Sequence, residues 1–254
     1  MMKTSVSGTI PIILTFFLTC VCGCRHEVIL STHEIIARNT EAMGGRQVIE
    51  AIRSIEITLH ISEQKFDVDA VYRAARPGTM RIDVMHGGKR IFSEGFDGKN
   101  AWQWPADTEH AVDESAQAGA TLSHGVELPG KLFGLHEMRG RGHAVEFAGR
   151  ETIDATDFYV LRATLSDGYT TSLYVDPTTW RIARRRDFRP LHIDIDPTPT
   201  TIEDQNLDFR QEGGLWFPFG SKQIDVPTGK LLQTSRIESV KINPQVDQSV
   251  FRKP

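Results

Sequence analysis

The sequence contains nine histidines, whose imidazole groups could bind a metal ion. His33-Glu34 and His136-Glu137 each begin like the zinc-protease motif HExxH, but no second histidine follows at that spacing. Asp194 and Asp196 occupy alternate positions of the sequence HIDID and could place two carboxylates on one face, although a solvated loop is the more ordinary interpretation. We therefore predict no metal site and no cofactor.

The sequence also has no Gly-rich phosphate loop and no GxSxG elbow. The three cysteines, Cys20, Cys22 and Cys24, all lie near the N-terminus, and residues 25–254 contain none. No disulfide framework can therefore form in the body of the protein, and no thiol nucleophile remains there. We expect a protein that is not an enzyme and that depends on its hydrophobic core.

The N-terminal segment has the features of a targeting signal followed by a site of membrane attachment. Its apolar run, Ile10 to Cys22, is too short for a comfortable bilayer span of about 20 residues and fits the core of a secretory signal peptide. The junction Val21 to Cys24 resembles a bacterial lipobox, which implies that Cys24 becomes the first mature residue and carries acyl chains. More than one acyl chain makes membrane anchoring stable. The alternative is an ordinary cleaved signal.

This interpretation divides the chain into a signal peptide at 1–23, an anchor linker at 24–31 and one domain at 32–254. Arg25, rather than Asp, follows the cysteine. By analogy with enterobacterial sorting, this favours the outer membrane over the inner one. We expect a lipid-anchored protein that faces the periplasm.

Alternating apolar and polar residues predict a mostly antiparallel β-sheet that begins at Ser54. Ile55, Ile57, Leu59 and Ile61 alternate with polar residues, as in a strand with one buried face, and similar runs recur along the chain to give about eleven strands. Ser31 and Glu34 have the spacing of a capping box and predict a preceding helix that bends at Gly44-Gly45.

The segment 105–142 interrupts this pattern. It is rich in Ala, Gly, Glu and His, and 112–120 is weakly helical. Long segments without alternation inside a β protein are commonly functional, so we predict one or two short helices that form a lid over the sheet.

The charge of the chain argues against a nucleic-acid partner. Its net charge is −4, and it contains no long basic block. The strongest cluster is Arg184 to Arg186, flanked by Arg181 and Arg189. The ordinary interpretation is the solvated face of a strand, and the alternative is contact with anionic lipid headgroups or with a partner protein.

An ordered set of short motifs resembles the Lol-type lipoprotein carriers and their lipoprotein-sorting relatives. The set comprises Glu41 to Gly45 before the first strand, Phe96 to Trp102, Leu173 to Asp176, Asp208 to Arg210 with Gly213, Trp216 to Pro218, and the ending from Asn243 to Pro254. The resemblance spans about 40–254. It implies a half-open antiparallel β-barrel, with helices filling its mouth and a lipid or acyl chain in its cavity.

We therefore predict an α+β, mostly antiparallel fold and a monomeric lipoprotein that binds a hydrophobic ligand. The alternative is a structural or interaction lipoprotein with a filled barrel that docks an envelope partner. A shift of one residue in the pairing register turns every side chain of a strand to the opposite face. The list of cavity residues therefore depends on the register assigned to each strand. The residues predicted to line the cavity are Ile57, Leu59, Phe66, Val68, Met80, Ile82 and Trp102 from the sheet, with Leu132 and Phe133 from the lid.

Overall fold

A computed structural model describes residue 1 and residues 30–193 and 195–254. The described part of the chain contains three α-helices, α1 (Thr32–Ala42), α2 (Arg46–Glu50) and α3 (Ala116–Glu127), and 3₁₀ turns at Leu135–Glu137, Arg139–Arg141 and Gln248–Phe251. Its strands are β1 (Ser54–Glu63), β2 (Asp67–Ala75), β3 (Thr79–His86), β4 (Lys89–Phe96), β5 (Ala101–Pro105), β6 (Val112–Asp113), β7 (Ala144–Ile153), β8 (Thr156–Thr164), β9 (Thr170–Val175), β10 (Ile182–Arg189), β11 (Thr200–Glu212), β12 (Leu215–Asp225) and β13 (Lys230–Ile242).

All of these strands belong to one antiparallel sheet in the order β6-β5-β4-β3-β2-β1-β13-β12-β11-β10-β9-β8-β7. The pairing of β1 with β13 places the first and last strands side by side at the centre of the sheet, and β6 and β7 form its two edges. The sheet is open, so the predicted half-open barrel is confirmed. It has thirteen strands instead of about eleven, and β6 is only two residues long.

One face of the sheet is apolar across its central strands, and we call it the concave face. Ile57 lies opposite Tyr72, which in turn lies opposite Ile82. Alternation along each strand then places Ile55 and Met80 on the same face. These side chains form one hydrophobic core with Phe217 and Phe219 from β12.

Helix α1 begins at the predicted capping box. The Glu34 amide donates to Ser31 Oγ at 3.2 Å, and the Ser31 amide donates back to Glu34 Oε2 at 2.8 Å. On its buried side, Ile35 is fully enclosed and joins a second core with Leu161 and Leu173 from β8 and β9. The helix therefore covers one arm of the concave face.

The glycine pair separates α1 from α2 instead of bending a single helix. The Trp216 amide donates to the Met43 carbonyl at 3.1 Å, which ties the end of α1 to the start of β12. Gly44 has φ +127°, and a Cβ there would collide with the Gly214 carbonyl oxygen. Only glycine permits both this backbone conformation and this close approach.

Helix α3 begins four residues later than the predicted weak helix at 112–120. Its N-cap is Ser115, whose Oγ accepts from the Ala118 amide at 3.1 Å, while Val112–Asp113 pairs with β5 as an edge strand. The capping hydroxyl sets the start of this helix more strongly than the run of helix-forming residues does. No helix of the described residues is long and apolar enough to cross a bilayer.

We expect Gly44→Ala to lower the free energy of unfolding by at least about 2 kcal/mol, because the alanine combines an unfavourable φ with a backbone collision. Urea denaturation followed by circular dichroism measures the change. Gly125→Ala is the matched control. A Cβ at Gly125, in α3, meets open space, so this change should leave stability equal or raise it by up to about 1 kcal/mol. Equal effects of the two substitutions would contradict the proposed role of Gly44.

Candidate functional site

A cavity of about 150 Å³ lies between the concave face, helices α1 and α2, and residues 116–143, which we call the lid. The lid contributes Pro129, Gly130, Lys131, Phe133, Gly134 and Leu135 to its wall. The opposite wall is mainly apolar and includes Met43, Ile49, Ile52, Ile57, Leu215, Phe217 and Ile237. This arrangement suits a hydrocarbon ligand, because apolar surface from sheet, helix and lid converges on one space.

A larger open groove of about 760 Å³ runs along the outer side of α1. Charged side chains, among them Arg38, Glu41, Arg46 and Arg139, line this groove, and among the described residues the sheet contributes only Val145 of the edge strand β7 to it. Its polar rim and open shape make it less suited to a hydrocarbon chain than the smaller interior cavity.

Seven of the nine residues predicted to line the cavity share the concave side of the molecule. Leu132 and Phe133 of the lid are buried against the core that contains Ile57 and Met80. The other three follow from register, since Leu59 lies opposite Ala70, Val68 opposite Ile61, and Ile82 opposite Tyr72. Of these seven, Ile57 and Phe133 contact the present cavity directly. A role in ligand binding stays a prediction for all of them.

Trp102 lies on the opposite, convex face, which corrects its predicted place in the cavity. It is in register with Gly95 and Arg81, which alternate with the concave residues Phe96 and Met80. The indole is fully buried, and its Nε1 donates to the Phe251 carbonyl at 2.8 Å. Trp102 therefore holds the C-terminal 3₁₀ turn against the back of the sheet.

Phe66 also lies outside the cavity. It belongs to the turn between β1 and β2, it is 36% exposed, and its ring centroid lies 5.9 Å from that of His192. The alternation of apolar residues from Phe66 predicts a strand that begins one residue before β2 does, because β2 begins at Asp67.

Arg76 fastens the lid to the sheet and to α2. Its guanidinium donates to both carboxylate oxygens of Glu137, at 2.6 and 3.0 Å, and to the Leu132 carbonyl at 3.1 Å. A longer bond of 3.3 Å reaches the Ile49 carbonyl of α2. Both charged side chains are largely shielded, with 18% and 12% of their surface exposed. A paired, bidentate contact of this kind is stronger than an exposed ion pair.

The electrostatics of Glu137 favour the closed lid. Burial alone would raise the pKa of Glu137, but hydrogen bonds from Arg76 and from the Gly134 amide outweigh burial and hold that pKa below its usual value. The carboxylate thus remains ionised at neutral pH, where it accepts hydrogen bonds from both Arg76 and the Gly134 amide.

A second polar group joins the two ends of the lid loop that carries Phe133. Arg141 forms an ion pair with Glu127 and stacks 3.4 Å from the centroid of the Phe133 ring. His143 Nε2 lies 3.0 Å from the same Glu127 carboxylate, and burial followed by the charge of Arg141 lowers the pKa of His143. These contacts fix the position of Phe133 over the cavity.

Helix α3 spans the mouth of the half-barrel. It lies against β3, β4 and β5 on one side. On the other side, His124 contacts Asp167 at 2.6 Å and stacks on Tyr169 with a centroid distance of 4.0 Å. The lid therefore bridges the two arms of the open sheet.

The remaining candidate groups of the sequence fall in different places. The arginine run is divided between the faces, since Arg184 and Arg186 pair with Glu203 on the convex side while Arg185 points to the concave side. Cys24 and Asp194 lie outside the described residues. Among the residues that are described, no group of three or more His, Cys, Asp or Glu side chains is arranged to hold a metal ion.

The lid-fastening residues Arg76 and Glu137 and the cavity residue Lys131 were not foreseen from the sequence. The partners Arg76 and Glu137 are 61 residues apart, and neither belongs to an alternating or helical pattern. The turn Pro77-Gly78 marks the neighbourhood of Arg76, but it carries no information about a contact with the lid.

Comparison with solved structures finds a similar architecture in several proteins from bacteria. A LolA superfamily protein from Nitrosomonas europaea matches with a TM-score of 0.56 and 12% identity over 89% of this chain and 99% of that one. The chain has the Lol-type fold. A DUF1329 family protein from Desulfovibrio piger matches with a TM-score of 0.56 and 10% identity over 87% and 96% of the two chains.

A putative outer membrane lipoprotein-sorting protein domain from Vibrio parahaemolyticus matches with a TM-score of 0.55 and 11% identity over 86% and 94%. Neither the models of protein families nor the curated protein sequences gave a match to this chain. The Lol-type likeness is therefore one of fold, carried by the course of the backbone and not by overall sequence identity.

We expect Glu137→Gln to weaken lid closure by about 2 kcal/mol, because it removes one charge from a largely shielded bidentate pair. Hydrogen exchange of residues 130–138 should become about thirtyfold faster. The exposed pair Arg236–Glu238 supplies the control, since Glu238→Gln should change exchange there by less than about twofold.

The pH dependence gives an independent check on this ion pair. Because the pKa of Glu137 is depressed, its contribution is fully present above the usual value of 4.5 and is lost as the pH falls through the lowered pKa. The wild-type lid should therefore loosen in acid, and the Glu137→Gln lid should lose this part of the dependence. An unchanged acid response would exclude Glu137 as the controlling group.

Proposed function

We propose that the protein is a non-enzymatic, lipid-anchored envelope lipoprotein that binds a hydrophobic ligand beneath its lid. The ligand would be a lipid or the acyl chains of a lipoprotein, handled in outer-membrane lipid or lipoprotein trafficking. The observation that carries this proposal is the apolar cavity, whose roof is the lid, fastened to the sheet by the Arg76–Glu137 ion pair and by the contact of His124 with Asp167. A filled structural core has no need of a roof held in this way.

The size of the cavity indicates how the ligand would enter. Its volume of about 150 Å³ is below the roughly 300–1,000 Å³ of ordinary ligand pockets. A chain can therefore be accommodated only if the lid moves outward, so that Leu132 and Phe133 withdraw from the core and cover the chain instead. Burial of hydrocarbon, worth about 25 cal/mol per Å², would supply the driving force.

The proposed anchor and location rest on the sequence around Cys24, and the fold is consistent with them. One structural neighbour is a putative outer membrane lipoprotein-sorting protein domain, so proteins of this architecture include envelope proteins. Acylation at Cys24, with 1–23 removed as a signal peptide, would hold the half-barrel of 32–254 on the periplasmic side of the outer membrane.

The alternative is an interaction lipoprotein that binds no lipid and docks an envelope protein. The small volume of the closed cavity favours this alternative, because sheet and lid side chains already fill most of the space. Direct analysis of bound molecules distinguishes the two functions.

We expect residues 25–254, expressed in the periplasm without the anchor, to co-purify with a stoichiometric lipid that native and denaturing mass spectrometry identify. Leu59→Asp should abolish this binding, because it places a charge on the concave face. Thr58→Asp, one residue away on the other face, is the matched control and should retain the lipid. An empty protein that also fails to take up a fluorescent fatty acid would support the interaction lipoprotein.

We further expect Cys24→Ser to move the full chain from the membrane fraction to the soluble fraction, because it removes the site of acylation. Fractionation followed by immunoblotting measures the distribution, and Cys22→Ser serves as the control that should stay in the membrane. If the Cys24→Ser protein remained fully membrane-bound, the proposed anchor would be wrong.

A further inference from the structure

Lys131 is a lid residue that reaches into the interior of the half-barrel. It lines the cavity, and its Nζ lies 4.4 Å from the centroid of the Tyr72 ring on β2. From the opposite arm, Arg185 on β10 and Asp204 on β11 act on it electrostatically. The ammonium group therefore lies at the mouth of the cavity, between the two arms of the sheet.

The other charges on this part of the concave face neutralise one another. Arg185 forms ion pairs with Asp204 and, at 3.0 Å, with Asp187. Arg189 lies 3.4 Å from each of the same two carboxylates. Two arginines are thus matched by two aspartates, and neither aspartate is left to pair with Lys131.

Lys131 is consequently a cation in excess. Within the described ranges, no carboxylate lies at ion-pair distance from its Nζ, and the contact that is seen is the one with the neutral ring of Tyr72. Lys131 is an exposed residue of the lid, and the protein atoms packed around its side chain lower its pKa to about 8, with a further lowering by Arg185 that Asp204 partly offsets. The group is charged at neutral pH, and its observed contact is with a neutral ring and not with a counter-ion.

We propose that the ligand is an anionic amphiphile, whose carboxylate or phosphate head pairs with Lys131 while its hydrocarbon chain occupies the cavity beneath Phe133. This inference rests on the proposed function and names the chemical class of its ligand. A charge-assisted bond to an anionic head would stabilise an ammonium that the empty protein leaves without a counter-ion. A neutral head would leave it unpaired.

The backbone of the lid connects head binding to lid closure. The Gly130 amide donates to the Phe133 carbonyl at 3.0 Å, so Lys131 and Phe133 lie on the same tight turn. The guanidinium groups of Arg141 and Arg76 both lie over the Phe133 ring, 3.4 and 4.5 Å from its centroid. An anion bound to Lys131 would therefore hold the turn that places Phe133 over the hydrocarbon chain.

The test uses the full chain in native membrane vesicles and two photoactivatable probes, a diazirine-labelled fatty acid and its methyl ester. For each probe, labelling of a variant is divided by labelling of the wild type, so that differences in membrane partitioning cancel. We expect Lys131→Met to reduce labelling by the acid about tenfold and labelling by the ester less than about twofold. Lys131→Arg should restore labelling by the acid, and the exposed Lys89→Met is the matched control without effect.

The outcomes separate this inference from the function on which it rests. If neither probe labels the wild type, the proposed function itself fails. If both probes label the wild type and Lys131→Met leaves both labelling ratios unchanged, or lowers them equally, the protein binds a hydrophobic ligand but Lys131 does not select an anionic head. Dodecyl phosphate should displace the acid probe, whereas inorganic phosphate at the same concentration should not. Equal displacement by the two would indicate a site for free anions instead of amphiphiles.

Discussion

The contact between Arg76 and Glu137 is the interaction on which the closed form of this molecule depends. It joins the end of β2, the carbonyl groups of α2 and the lid, and it does so with charges that are mostly withdrawn from water. An open antiparallel sheet has an apolar concave face that must be covered, and here part of the cover is the lid, which runs along the chain from one edge strand, β6, to the other, β7. The Arg76–Glu137 pair and the burial of Leu132 and Phe133 therefore act together to keep the apolar face enclosed.

The concave face is divided into two regions of different chemistry. Around Ile57, Met80 and Phe217 it is apolar, whereas toward the ends of β10 and β11 it carries paired arginines and aspartates. The lid turn that carries Lys131 and Phe133 covers this face, with both side chains in the cavity wall and the Lys131 ammonium over the ring of Tyr72. A surface of this kind matches a molecule that is itself divided into a hydrocarbon part and a polar part, which a uniformly apolar cavity would not distinguish.

Short-range patterns predicted the architecture and part of the cavity wall. Alternation placed Ile57, Leu59, Met80 and Ile82 on one face, because strands that face a single core keep strict period-2 burial. Trp102 was assigned wrongly because its face depends on register across the β4–β5 hairpin, where it pairs with Gly95. Arg76, Glu137 and Lys131 could not be found in this way, since their contacts join segments about 60 residues apart in sequence and leave no local periodicity.

The strength of the lid contacts and the affinity for a ligand are coupled in this architecture. In the closed form, Leu132 and Phe133 already occupy the apolar region, so an entering chain replaces protein–protein contacts of the same kind. The net gain is then mainly the burial of the ligand's own apolar surface, reduced by the free energy needed to break the Arg76–Glu137 pair. Stronger fastening protects the empty protein from exposing its concave face but weakens binding by the same free energy. A polar fastening at the rim can be changed by single residues without altering the apolar wall, so the balance between these two requirements can shift while the shape of the cavity stays the same.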